Sequence, residues 1–321
     1  MLRIKRGLVG KGHVPGFIGI ISDLFLVVFP ITMVVGYALR GWVRGLGVGD
    51  YLQYVVMALI FTMAFWAGSI VASNYVLYII IYSIVYAVFS IVMSLAFSIP
   101  VGLVTRAHQN EGTHTGNGSA NVRLPLVLLA VLAIGWVLGF YVRYGPVINY
   151  LDYVITVELL ILILVIGLDI GSSISRSLLT QGYLGIAVAA TSLLGSLVSG
   201  LVLHYLVNIP LAASLGISMG MGWYSLAGPL LSIRFGPAMG TLAFLANFLR
   251  EQLTYLLVPS MVTMGFRSTA LVSIGGATSM DDTLPIYRLY MGESGGFVAF
   301  VSGFVITMVL PELLPYVVTI R

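Results

Sequence analysis

Charge and reactive sulfur are what this chain of 321 residues has least of. Cysteine is absent, which excludes a disulfide framework, a thiol nucleophile and thiolate metal ligation, and leaves the redox compartment open. Only 8% of residues are charged against 59% hydrophobic, and the mean hydropathy is +1.06. No water-soluble globular surface is built that way, so the chain reads as an integral membrane protein. Histidine is scarce as well: His108 and His114 sit in a polar stretch read as a solvated linker, so no metal is expected. The sequence contains no Ser-His pair, metal motif or phosphate-cradling loop, which leaves no catalytic residue and no cofactor to nominate.

What is present is a series of apolar runs, each long enough to cross a hydrocarbon layer of ~30 Å at ~1.5 Å per residue. They fall at 17–39, 51–72, 75–104, 124–142, 153–174, 182–207, 211–231, 238–259, 268–290 and 295–318. The expected fold is an all-α membrane protein of about ten segments, in one transmembrane domain. A basic tail (1–16) precedes a three-span unit (17–104); a Gly, Asn, Thr and His-rich loop (105–123) leads to a second three-span unit (124–207) and a final region (208–321). The tail is read as a retained anchor to anionic lipid, not a signal peptide, since no small-residue cleavage pattern follows the first apolar run. The net charge of +4 does not imply nucleic acid, because the other basic residues are scattered singly through loops.

Orientation is nearly balanced by the positive-inside count. Arg3, Lys5, Arg6, Lys11, Arg143, Arg267 and Arg321 fall on one side, and Arg40, Arg44, Arg106, Arg123, Arg176 and Arg234 on the other. An ungapped shift of 99 residues lays the first two segments over the fourth and fifth, matching Gly36 to Gly135, Leu52 to Leu151, Tyr54 to Tyr153 and Gly68 to Gly167. Three segments separate the copies, so the second copy would enter from the opposite face: an inverted repeat of the kind secondary transporters use.

Two polar, glycine-studded interruptions break the apolar pattern, Gly220 to Leu231 (GMGWYSLAGPLL) and Gly275 to Ile286 (GGATSMDDTLPI). A chain unwinds in hydrocarbon only where its loose amides and carbonyls face protein, a solvated cavity or cargo. In the first, Gly222, Trp223, Tyr224 and Ser225 put backbone, aromatic faces and a hydroxyl at the break, and the amides of the resumed half-helix are expected to favour an anionic group. The second adds Thr278, Ser279, Asp281 and Asp282 before Pro285 restarts regular structure. A carboxyl at that depth is costly unless paired, hydrated or protonated, and one that trades its proton for an arriving cation is what an exchanger needs. Against these readings stand a kinked helix packed through small residues for the first and a shallow solvated turn for the second.

Between the breaks, Asn247, Arg250, Glu251 and Thr254 at i, i+3, i+4 and i+7 share one helical face, which must point at protein or water. Arg250 either neutralises Glu251 or Asp281 permanently or releases a carboxylate when substrate binds; both readings stand. Glu158 and Asp169 lie eleven residues apart on nearly one face, with Asp169 in the small-residue run VIGLDIGSS. Asp23 and Arg40 bracket the first segment as snorkelling residues. Gly47 to Asp50 spell the GxGD string of intramembrane aspartyl proteases, but its Tyr-Asp partner is absent.

The run GMGWYSLAGPLL, then FGPAMGTLAFLANFLREQLTYLLVP, then STALVSIGGATSMDDTLPI resembles the lysine exporter (LysO) family of bacteria and archaea in both residues and spacing, over roughly Leu211 to Ile286. The resemblance implies export of L-lysine, and of basic analogues such as thialysine, across the cytoplasmic membrane. It places the family's membrane-embedded acid at Asp281 and puts Asn247, Arg250 and Glu251 on the family pattern. Asp282 and the longer basic tail depart from that pattern. Proton antiport is the expected coupling, with the cargo carboxylate at Gly222 to Ser225 and its cationic groups at Asp281, Glu251 and Asp282. Sodium as the coupling ion and self-association into a homo-oligomer stay open. The competing expectations are a transporter of another amino acid or small organic anion, and a passive channel or structural membrane subunit.

Overall fold

A computed structural model describes residues 15–46, 48–70, 75–105, 123–142, 150–173 and 182–320. The basic tail, the loop carrying His108 and His114, Gly47, Arg106, Arg143, Arg176 and Arg321 lie outside them, as do the side chains of Asp23, Arg44, Asp50 and Arg123.

The described residues contain helices and no strand. Apolar runs without internal breakers become α1 (Pro15–Ala38), α3 (Val48–Ile70), α4 (Val76–Thr105), α5 (Arg123–Tyr141), α6 (Leu151–Ser173) and α7 (Tyr183–Leu203), the last extended by a π turn at His204–Asn208; a short α2 (Arg40–Gly45) follows α1. The seventh run is split into α8 (Leu211–Ser218) and α9 (Tyr224–Phe235), and α10 (Pro237–Thr263) follows Gly236 directly. The ninth run is not a continuous helix. It forms a 3-10 turn at Thr269–Leu271, the single turn α11 (Val272–Gly275) and a 3-10 stretch at Gly276–Met280. Helix resumes as α12 (Leu284–Val317), kinked at Gly292 with φ 72°. By length and apolarity Val76–Leu103, Tyr183–Asn208 and Ser294–Val317 are each able to cross a membrane, and Val27–Ala38, Tyr54–Ser69 and Ala130–Tyr141 are shorter apolar stretches.

Two bundles result. In one, α1 packs on α6 and α3 packs on α5, with α3 also against α6. In the other, α4 packs on α7 and α10, α9 lies along α10, and the 276–280 stretch lies on α12. The first bundle brings backbones together at glycine. A methyl on Gly36 would strike the Leu168 backbone, one on Gly68 the Trp136 carbonyl, and one on Gly167 the Thr32 side chain; on Gly135 it would stand 2.8 Å from the Phe61 carbonyl oxygen. The second bundle is stitched by hydroxyls one turn apart: Ser90 to Ser199 at 3.0 Å, Ser94 to Ser196 at 3.0 Å and Ser98 to Thr191 at 2.9 Å. In hydrocarbon, pairs of this kind contribute ~0.6–2 kcal/mol each.

Gly68→Ala forces a methyl into the Trp136 carbonyl, an overpacking cost of about 1–3 kcal/mol. A lower melting temperature in detergent is expected for it. Gly41→Ala, at a site with nothing within 4 Å of the added carbon, leaves melting unchanged. Equal melting of the two variants would contradict the packing described.

Candidate functional site

The chain leaves helical geometry at Met219, and Met221 and Gly222 both take positive φ, 48° and 89°. Gly276 opens the second break at φ 64°. Positive φ suits glycine and strains methionine, so Met221 holds its place only because something fixes it. The other break does so: the Ala277 amide donates to the Met221 carbonyl at 2.9 Å. The two glycines allow this contact, since a methyl on Gly276 would strike the Met221 carbonyl and one on Gly222 would lie 2.9 Å from the Gly275 carbonyl oxygen. The breaks therefore cross each other backbone to backbone.

Beside the crossing lies a cavity of about 310 Å³. Gly222, Trp223, Tyr224, Ser225, Thr278, Asp281 and Asp282 from the breaks line it, with Glu251 of α10 and Asp169 of α6. Val56, Ile166, Phe300, Phe304 and Thr307 close the apolar side. Four carboxylates face one space, and none of its lining residues is basic. Asp281 and Asp282 are exposed to it although they lie within the fold. The Asp281 Oδ1 accepts the Asp282 amide at 2.7 Å, and the Asp282 carbonyl accepts the Tyr255 hydroxyl at 2.6 Å. Glu251 is only 2% exposed: its Oε1 accepts Gln252 Nε2 at 3.0 Å, while Oε2 is buried without a hydrogen-bond partner. A buried carboxylate oxygen with no donor is expensive, so the site is set for an arriving cation or proton.

Three nominated residues stand behind the cavity instead of lining it. Asn247 Oδ1 accepts the Gly222 amide at 2.9 Å and its Nδ2 donates to the Ile217 carbonyl at 3.0 Å, bridging the two ends of the first break. Ser279 donates to the Gly276 and Ala299 carbonyls at 2.8 and 2.9 Å, tying the second break to α12. Arg250 donates to main-chain oxygens and serines, away from the carboxylates with which it was expected to pair. Thr254 bonds back to the Arg250 carbonyl at 3.0 Å. Glu158 is half-buried, accepts Thr62 Oγ1 at 2.9 Å and does not line the cavity.

The first break is also shorter than its sequence suggests, because Leu226 to Leu231 are helical and Pro229 sits inside α9. Its loose amides are largely spoken for. Those of Gly222, Trp223 and Tyr224 donate to Asn247 and to the Gly220 and Gly222 carbonyls. Ser225 is what the break offers to a ligand: it lines the cavity, and Pro229 lacks the amide that would have bonded its carbonyl. Tyr224 is fixed edge-on against Phe244 and Phe248, with centroids at 5.3 and 5.6 Å. Phe300, Phe304 and Thr307 were missed in the sequence, since their i, i+4, i+7 spacing is lost within a uniformly apolar helix.

Residues 129–318 match the family described as lysine exporter LysO. An Escherichia coli (strain K12) protein named Lysine exporter LysO is 34% identical over 161 residues, which is 49% of this chain and 52% of that protein. The chain thus spans about half the length of that relative. A Haemophilus influenzae protein named "Putative lysine exporter" is 33% identical over 199 residues, 59% of this chain and 95% of its own length. No solved structure matches.

Asn247→Ala strips partners from a buried amide and a buried carbonyl, at ~1–3 kcal/mol for each group left unsatisfied. The expected result is a lower melting temperature in detergent, and unchanged melting would show that the first break does not depend on this bridge.

Proposed function

This chain belongs to the lysine exporter LysO family, and from that premise we propose that it is a multi-pass protein of the cytoplasmic membrane that exports L-lysine in exchange for protons. One observation carries the reading: four carboxylates, Asp169, Glu251, Asp281 and Asp282, share a single cavity whose lining has no basic residue. Such a space favours a cation-bearing cargo and disfavours a small organic anion. Its volume lies at the lower end of the range for small-molecule sites of ~300–1,000 Å³. The apolar wall of Val56, Ile166, Phe300 and Phe304 suits the methylene arm of lysine, or of a basic analogue such as thialysine. Ser225 offers a hydroxyl to the cargo carboxylate and a carbonyl to an ammonium, while Thr278, whose hydroxyl donates to the Gly275 carbonyl, lines the wall beside them. These assignments favour Ser225 over the Gly222 to Tyr224 amides for the anionic end.

Coupling follows from charge. Carrying one positive charge outward against an inside-negative potential costs ~2.3 kcal/mol per 100 mV. Exchange for one proton cancels that cost, and exchange for two lets the potential drive export, which gives more than one carboxylate a use. Protons are the proposed coupling ion because the cavity gathers several carboxyls able to exchange them; the same oxygens also suit sodium, and the flux measurement below separates the two.

The helix pairing supports an inverted repeat across 17–104 and 124–207. The first helix of each unit packs on the second helix of the other, and the glycines related by the 99-residue shift sit at those contacts: Gly36 with Gly135, and Gly68 with Gly167. The swapped pairing is what a two-fold axis in the membrane plane generates.

In reconstituted vesicles, labelled lysine is expected to show saturable counterflow driven by a pH gradient and indifferent to sodium. Asp281→Asn abolishes the coupled flux and leaves the protein folded. Flux at the parent rate with an unchanged pH profile removes Asp281 from the mechanism. Sodium dependence or non-saturable leak overturns proton antiport.

A further inference from the structure

Arg250 is 1% exposed, its guanidinium makes four hydrogen bonds, and it does not line the cavity that Glu251 faces. The turn α11 ends where the backbone changes course at Gly276 and tightens into a 3-10 stretch, so the regular α-helical run of amide donors to its carbonyls is broken off. Two side chains supply the donors. Arg250 Nε bonds the Ile274 carbonyl at 3.0 Å and Nη2 the Ser273 carbonyl at 2.8 Å. The Tyr287 hydroxyl lies 3.3 Å from both the Leu271 and Val272 oxygens and accepts the Gly275 amide at 3.0 Å. The guanidinium is braced from behind by Ser196 and Ser94, each at 3.1 Å, whose hydroxyls bond one another at 3.0 Å. A planar fork of fixed donors is required to reach four oxygens on three elements, and a single ammonium cannot span them.

We infer that Arg250 is a positioning residue: it neither meets the cargo nor exchanges protons with it, and by capping Ser273 and Ile274 it fixes the start of the Gly276–Met280 stretch and hence the place of Asp281 in the cavity. The inference rests on the reading of Asp281 as the coupling acid. Tyr287 shares the work, because Arg250 holds only half of the four carbonyls.

The absence of cysteine makes a reporter simple. Met280→Cys places one thiol on the cavity wall, and its reaction rate with a small cationic methanethiosulfonate is measured in vesicles with Arg250 and with Arg250→Lys, beside lysine flux. Arg250→Lys is expected to change the labelling rate by about threefold or more and to raise the half-saturating lysine concentration by roughly tenfold, with the shape of the pH profile retained. Parent values throughout would overturn the proposal, as would a shifted pH profile with unchanged labelling, the signature of a coupling group. Should Arg250→Lys fail to fold, the Ser94→Ala, Ser196→Ala double variant, which removes the brace together with one hydroxyl pair of the α4–α7 seam, is expected to change labelling by a smaller factor, about twofold, while Ser90→Ala, which removes a neighbouring seam pair and leaves the brace, leaves it unchanged; no change in the double variant also overturns the proposal. Altered labelling in a protein that moves no lysine upholds the positioning role and sinks the substrate assignment, so the two failures are separable.

Discussion

Each of the two broken helices supplies what the other lacks. The Ala277 amide reaches the Met221 carbonyl, and the two backbones come close enough for this only because Gly222 and Gly276 carry no side chain. The contact fixes a non-glycine residue at φ 48°, a conformation costing on the order of 1–3 kcal/mol unless its surroundings impose it. Everything at the cavity follows from that crossing. It sets Trp223 to Ser225 on one side and Thr278 to Asp282 on the other, and it leaves a gap between them that carboxylates line.

A break inside a helical bundle exposes backbone groups in pairs, and each must be repaired separately. Here the repairs come from single side chains reaching across: Asn247 bridges Ile217 to Gly222, Arg250 takes Ser273 and Ile274, Tyr287 takes Leu271 and Val272, and Ser279 links Gly276 to Ala299. Helix α10 carries two of these repairs and also delivers Glu251 to the cavity. One helix therefore registers both breaks against a carboxylate, which accounts for how much polarity ANFLRE carries in an apolar chain.

The two bundles solve the same packing problem by different means. In α1, α3, α5 and α6, glycine lets backbones touch, with the Thr62 to Glu158 bond between α3 and α6 beside those contacts. In α4 and α7, serines at one-turn intervals pair across the seam and converge on the Arg250 guanidinium. The cavity lies where the two meet, for Val56, Ile166 and Asp169 come from the first bundle and the remaining lining residues from the second.

Hydropathy and breaker residues by themselves marked out the apolar segments, the positions of both interruptions and the acids that line the cavity, because each is a property of residues adjacent in the chain. The resumption of helix at Pro285 was legible for the same reason, as was the nomination of Asp281, Glu251 and Asp169. Which donor meets which acceptor was decided only in three dimensions. The Asn247 amide is 30 residues from the Ile217 carbonyl it holds, and Arg250 is 156 from Ser94, so neither bond leaves a periodicity to read. That is why Arg250, taken from its spacing as a partner for carboxylates, turned out to hold main-chain oxygens, and why the glycine-freed amides at Gly222 to Tyr224 were already claimed. Chain-local chemistry announces that a backbone must open; only the packing of distant segments against the opening decides what closes it and what is left for a ligand.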